Sequence, residues 1–387
     1  MIRGLVPLVI SQFLSAFADN AILFTVIAIV LQAGRQGDWY VPALQSVFLV
    51  AYVVLAPWVG VWTDRIPKPR ILIFANLIKL AGGVLLLIEV EPLIAYSLVG
   101  AGAALYSPAK YGILPEIADA DHLVKANSWV EGATIAAILL GTIGGAKVAD
   151  RSIPWALLLI NACFVLSVLI SFLLPKLPPR AETRGSAIHQ LSAQGRELLH
   201  SQRARLILLG LAMFWAAAAT LRVLLVAWAP AVLHSRSATD IAELTLYLAI
   251  GIIIGAGLAP RWIPLAAVRR TRYAGYAIGG LLALLGAVSE VWPARATLLA
   301  IGIAGGLFVV PLNAALQEIG HRTVGAGITV AIQNLLLNAA MLVAVGLYTV
   351  ATARGTGPVE ALLTLAIAVL VGVVTLSTML PRNETLR

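Results

Sequence analysis

Apolar residues come in long unbroken runs along the chain, separated by short polar turns. Each run is close to the roughly 20 residues that a helix needs to cross a hydrocarbon core. Strands of a membrane barrel would show short alternating segments instead. Six runs precede one long hydrophilic stretch: Val6–Leu31, Pro42–Trp62, Arg70–Ile88, Pro92–Leu114, Ser128–Ala149 and Ile153–Leu174. Six follow it: Leu206–Leu233, Ile241–Ala259, Tyr273–Val291, Ala296–Leu316, Ile328–Ala353 and Val359–Leu380. The pattern predicts an all-α integral membrane protein with 12 transmembrane helices in two six-helix halves, 1–175 and 206–387. The stretch between them, 176–205, reads as a basic linker, within which Gly185–His200 can form a short amphipathic helix on the membrane surface.

Composition supports this. The 387 residues are 60% hydrophobic and 12% charged, where a soluble domain carries about 25% charged residues. The net charge of +9 would suit a nucleic-acid binder, but its distribution assigns it to topology. Connections on the side of the two termini and the linker hold 18 Lys and Arg, and the opposite connections hold 6. That bias predicts both termini in the cytoplasm and no nucleic-acid partner. The first run is longer than a signal-peptide core and lacks a small-residue cleavage site, so it is expected to stay as the first helix. The single cysteine, Cys163, lies within an apolar run and excludes an intrachain disulfide.

Five charges fall three or more residues inside the ends of the runs: Asp19, Lys79, Lys110, Glu131 and Arg222. A charge at bilayer depth costs a few kcal/mol (about 3 on insertion scales) and therefore needs a partner or a wet cavity. Asp19 and Arg222 sit at similar depth in the first and seventh helices, which occupy equivalent places in the two halves. The expectation is that they face each other across a transport pathway, with Lys110 and Glu131 completing its polar wall. Lys79 fits a structural ion pair as well as a substrate contact, and Lys110 fits snorkelling to the interface. Amides add to this set: Asn20 beside Asp19, and Gln333, Asn334 and Asn338 on the eleventh helix. Their bland role is hydrogen bonding between helices.

The turn after the second helix reads GVWTDRIPKPR. Gly60, Asp64 and Arg65, with Arg70 as a basic end one residue beyond the pattern's last place, resemble the major facilitator loop G-x-x-x-D-R-x-x-x-[RK], although Pro67 and Pro69 depart from its usual turn. Asp64 can cap a helix N-terminus or pair with an Arg and so latch one conformational state. The halves also repeat: GAALYSPAKYGIL around Pro108 matches GGLFVVPLNAAL around Pro311. Parallel six-helix repeats joined by a linker are the layout of major facilitator transporters. The Gly141–Gly145 and Gly251–Gly255 spacings predict close helix packing. No nucleotide-binding loop, nucleophile motif or metal-ligand spacing stands in the sequence, so neither enzyme chemistry nor a metal or other cofactor is expected.

Longer blocks then point to one family. SQFLSAFADNA (11–21), FANLIKL (74–80), YSPAKYGIL (106–114), LVKAN (123–127), TLRVLLVAW (220–228) and FVVPLNAALQE (308–318) resemble the bacterial lysophospholipid transporters. The resemblance implies a flippase of the bacterial inner membrane. It would move lysophosphatidylethanolamine and lysophosphatidylglycerol from the outer to the inner leaflet by alternating access, with the head group held between the two halves. It also implies a cytoplasmic-face acyltransferase, with its acyl-carrier-protein synthetase activity, as partner, and function as a monomer among membrane lipids. Tyr106, inside one of these blocks, joins the expected substrate-binding set. The family's acidic residue before the last Asn of the eleventh helix is replaced by Leu337, so that acid's role does not carry over. The alternative is a proton-coupled facilitator of an amphipathic small molecule, with Asp19 or Glu131 carrying the proton. A non-transporting membrane scaffold has no use for five intramembrane charges.

Overall fold

The computed structural model describes residues 4–33, 39–117, 120–175, 187–235, 237–263, 265–324 and 326–379. Thirteen α-helices and no strand occur among them. The first six are α1 (Leu5–Ala33), α2 (Tyr40–Arg65), α3 (Lys68–Leu87), α4 (Pro92–Ile117), α5 (Ala120–Arg151) and α6 (Ile153–Ser171). α7 (Ala187–His200) is the short amphipathic helix expected in the linker. Then follow α8 (Gln202–Val232), α9 (Ala238–Trp262), α10 (Thr271–Leu285), α11 (Val291–Arg322), α12 (Ala326–Ala353) and α13 (Pro358–Met379). Apart from α7, these helices fall on the twelve apolar runs. Among the described residues, nine are long and apolar enough to cross a membrane.

Local chemistry sets the helix ends. Ser152 alone separates α5 from α6, and its hydroxyl accepts from the Trp155 N–H. Ser201 caps α8 in the same way, accepting from the Ala204 N–H. Pro69 and Pro154 stand in first turns, where a missing N–H costs nothing. Three boundaries differ most from the hydropathy reading. α5 begins at Ala120 rather than Ser128, because the polar residues 120–127 contain neither Gly nor Pro and continue the helix out of the apolar zone. α11 runs to Arg322 rather than Leu316, and Arg322 pairs with Glu318 one turn back, which supports that polar end. The break before α11 comes at 286–290 rather than after Val291, since Pro293 fits a first turn.

Contacts divide the chain into two units. One comprises Met1–Gln36, Ala43–Ala187 and Ser237–Ala242; the other comprises Gly37–Pro42, Ile188–Arg236 and Glu243–Arg387. Within the first, α1 packs on α5 and α6, and α3 packs on α4 and α6. Within the second, α8 packs on α12 and α13, and α10 packs on α11 and α13. The two packing schemes are the same one, which gives the weak sequence repeat a structural form. Glycines make the closest crossings. A methyl at Gly141 would run into the Phe17 carbonyl, and one at Gly251 into the Leu299 carbonyl. Both small-residue spacings therefore serve helix packing.

Candidate functional site

The first unit holds a buried polar seam. α1 presents Ser11, Ser15 and Asp19 at four-residue spacing, which places them on one helix face. α3 supplies Asn76 and Lys79, and α6 supplies Ser167 and Ser171. The Ser11 hydroxyl lies 2.8 Å from the hydroxyls of both Ser167 and Ser171. Ser15 donates to Asn76 Oδ1 at 2.8 Å, and Asn76 Nδ2 donates to Ser167 Oγ at 2.8 Å. Lys79 Nζ donates to Ser15 Oγ at 3.0 Å and to Asp19 Oδ2 at 2.6 Å. The Lys79 side chain is fully buried, while that of Asp19 is 23% exposed. Lys79 Nζ also stands 4.6 Å from the centroid of the buried Tyr106 ring, a favourable place for a desolvated cation.

The two ends of the Asp19 carboxylate differ. Oδ2 takes the Lys79 ion pair, whereas Oδ1 accepts no hydrogen bond. A buried carboxylate oxygen without a donor carries a desolvation penalty that an incoming donor would relieve. Lys110 on α4 is buried and lies within electrostatic reach of Asp19. The neighbouring Asn20 turns inward on its own helix, its Nδ2 donating to the Ala16 carbonyl at 2.8 Å. Gln12 Nε2 donates to Thr134 Oγ1 at 2.9 Å, tying α1 to α5.

The structure thus joins Asp19, Lys79, Tyr106 and Lys110 in one region of the first unit. The ion pair of Asp19 is with Lys79, not with Arg222, which lies half-buried on α8 in the other unit. The surroundings of Gly60 and the side chains of Asp64, Arg65 and Glu131 lie outside the described residues, and Arg70 is exposed in the first turn of α3. On α12, Gln333 Nε2 donates to Asn313 Oδ1 on α11 at 2.8 Å, and Asn338 Nδ2 donates to the Asn334 carbonyl at 2.8 Å. Gln333 thus bonds between helices, whereas Asn338 bonds the backbone of its own helix. Sequence reasoning missed Ser11, Ser15, Asn76, Ser167 and Ser171. Their signal was polar residues one turn apart on three helices, a stripe that an apolar run hides when residues are weighed singly.

The second unit has a cavity of opposite character. It lies among α8, α9, α10, α11 and α13, spans about 470 Å³ counting the part open at its mouth, and is lined by Met213, Phe214, Leu248, Leu282, Phe308 and other apolar side chains. No charged or hydrogen-bonding side chain lines it. Such a space stays dry and accepts apolar matter.

Comparison with known proteins agrees with this layout. The sequence profile of the Major Facilitator Superfamily matches residues 8–344. The Lysophospholipid transporter LplT of Photorhabdus laumondii is 44% identical over 350 residues, covering 89% of this chain and 88% of that one. That of Salmonella arizonae is 42% identical over 360 residues, covering 91% and 89%. The chain belongs to the lysophospholipid transporter family of the Major Facilitator Superfamily. Two solved structures show the same fold. A point mutant of the nucleoside transporter NupG matches with a TM-score of 0.73 at 12% identity, over 97% of this chain and 98% of its own. A POT family transporter in complex with a thioalcohol-conjugated peptide matches with a TM-score of 0.76 at 13% identity, over 96% and 95%. This member of the family is accordingly a multi-pass helical membrane protein of a transporter superfamily.

Proposed function

We propose that the protein is a lysophospholipid flippase of the bacterial inner membrane. It carries lysophosphatidylethanolamine and lysophosphatidylglycerol from the outer to the inner leaflet by alternating access. A cytoplasmic-face acyltransferase then restores the second acyl chain. The observation that carries this reading is the 44% identity, over 89% of the chain, to a relative named for lysophospholipid transport. The cargo crosses chemically unchanged, so the protein needs neither a catalytic residue nor a cofactor, and it works as a monomer.

Two features of the separate units support the same reading. A lysophospholipid has one acyl chain, a glycerol hydroxyl and a charged phosphodiester head. The unused Oδ1 of Asp19 suits a head-group ammonium or hydroxyl. Arg222 suits the phosphate, because a guanidinium fork can hold two oxygens. Lys110 and Glu131 extend the polar wall. The dry cavity of the second unit suits an alkyl chain.

The test is uptake of lysophosphatidylethanolamine by the purified protein in liposomes, with and without a proton gradient. Wild type is expected to take it up in both conditions. Asp19→Asn and Arg222→Gln are expected to lose at least about tenfold, the scale of one charged hydrogen bond. Absence of lysolipid uptake by wild type overturns the proposal. Uptake that collapses without the gradient moves the reading to a proton-coupled facilitator.

A further inference from the structure

The second unit carries another recess, which the transport reading does not use. It is a shallow recess of about 350 Å³ counting the part open at its mouth, lined by Leu206, Gly210, Phe308, Leu312, Leu376 and Arg272, among others. Gly210 keeps its floor open: a methyl there would stand 3.3 Å from Leu312 Cδ1, 3.6 Å from Leu376 Cδ1 and 3.7 Å from Phe308 Cζ. Leu206 is near the start of α8, Arg272 at the start of α10 and Leu376 near the end of α13. The recess therefore lies at one end of the helices, on the side that the Lys and Arg distribution assigns to the cytoplasm.

That end is strongly basic. A 3-10 turn, Leu265–Arg270, places Arg269 and Arg270 just ahead of Arg272, and Arg203 and Arg205 open α8. No acidic residue occurs in α8 or anywhere from Arg261 to Ser289. The one acid on α13, Glu360, is in its first turn, about 24 Å along the helix from Leu376. Arg269 Nε is buried and makes no hydrogen bond. The Arg272 guanidinium lies 4.8 Å from the Tyr273 ring centroid and donates to its hydroxyl at 2.8 Å. Trp262 and Tyr273 are exposed beside this cluster. Exposed Trp and Tyr mark head-group depth in a membrane protein. On α13 the exposed apolar Val371 and Val374 flank the recess-lining Val373 and Leu376. The recess thus adjoins a surface made for lipid.

We propose that this recess binds an anionic diacyl phospholipid of the surrounding leaflet. The phosphodiester sits on Arg269 and Arg272, and one acyl chain runs past Gly210 towards Phe308. Basic pockets between membrane helices suit anionic head groups, and paired guanidiniums match phosphate oxygens. The lipid is a bound companion of the fold and not its cargo.

The experiment is native mass spectrometry of the full-length protein extracted from vesicles of equal phosphatidylglycerol and phosphatidylcholine. Wild type is expected to retain one phosphatidylglycerol at least about fivefold over phosphatidylcholine. The double variant Arg269→Gln, Arg272→Gln is expected to lose that preference, while Arg354→Gln, beyond α12, keeps it. Gly210→Leu is expected to lose retention of the lipid while leaving the lipid-free melting temperature within a few degrees. Should Gly210→Leu fail to fold, Gly210→Ala supplies the same comparison with a smaller loss. Equal retention of the two lipids by wild type, or undiminished preference in the double variant, overturns the proposal. Displacement of the lipid by glycerol phosphate would show a head-group site without a chain site and overturns it too. Stronger retention of a lysolipid than of the diacyl lipid would place the recess on the cargo's path and likewise overturns it.

Discussion

The two units share one packing scheme and fill its centre in opposite ways. In the first, the space among α1, α3, α4 and α6 is occupied by a Lys–Asp pair and a ladder of hydroxyls and an amide. In the second, the corresponding helices α8, α10, α11 and α13 surround a space lined only by apolar side chains. Lys79 and Leu282 each lie eleven residues past the first residue of their helix, α3 and α10. A repeated backbone has thus received a charge at one copy and a Leu at the other. The helix crossings therefore carry the fold, while the side chains at the centre are free to diverge. A chain divided in this way offers a polar place and an oily place, which are the two needs of an amphipathic cargo.

Exchanging the centres of the two units should have the largest effect. Leu282→Lys puts an ammonium into a space with no carboxylate. It should cost at least about 4 kcal/mol, combining an unpaired charge with lost Leu packing. Unfolding in detergent measures this, and a loss below about 1 kcal/mol would mean that the cavity is wet. The reciprocal change, Lys79→Met, leaves the Asp19 charge without its partner. Its cost should be about 3 kcal/mol, at the low end for a broken buried pair because Asp19 is 23% exposed. Adding Asp19→Asn should recover more than half of that loss. A double variant no better than Lys79→Met alone would show that the pair does not act as a unit. Smaller again is Ser167→Ala, which removes the hydroxyl that accepts from Asn76 and bonds to Ser11. About 1–2 kcal/mol is expected, since a buried amide N–H is left without an acceptor. An equal loss from a small substitution in the apolar cavity would remove any special role for the seam.

Most of the fold could be read from run length alone, because a bilayer demands helices of one length and leaves little choice of topology. The Gly spacings were legible for the same reason, since only close packing explains small residues one turn apart in an apolar run. The partner of Asp19 was not legible. Depth in a helix orders residues along the membrane normal but does not tell which face they occupy. Lys79 and Arg222 are both basic and both deep, and only the α1–α3 geometry selects Lys79 for the ion pair. The serine ladder was hidden because a hydroxyl costs little in a helix that can bond it to its own backbone. The dry cavity has no sequence signal, being made of residues that look like any other apolar run.

The helix ends that correspond in the two repeats differ as well. Asp150 and Thr352 each stand one residue before the end of their helix, α5 and α12. Thr352 spends its hydroxyl on its own helix, donating to the Tyr348 and Thr349 carbonyls. Asp150 instead reaches the start of α9. Its carboxylate accepts from the Ala238 N–H at 3.0 Å, the Thr239 N–H at 2.8 Å and the Ser237 hydroxyl at 2.8 Å. This satisfies two of the four N–H groups that a helix start leaves open, with a negative charge at the favourable end of the dipole. It also accounts for the grouping of Ser237–Ala242 with the first unit although the rest of α9 belongs to the second. Asp150→Ala should therefore cost about 1–2 kcal/mol, and hydrogen exchange at the amides of 238 and 239 should speed up by at least about tenfold. Thr352→Ala should cost less than about 0.5 kcal/mol, because its carbonyl partners keep their helical bonds. Equal costs at the two positions, with exchange at 238 and 239 unchanged, would show that the first turn of α9 is held by its own helix and that the repeats do not differ at these ends.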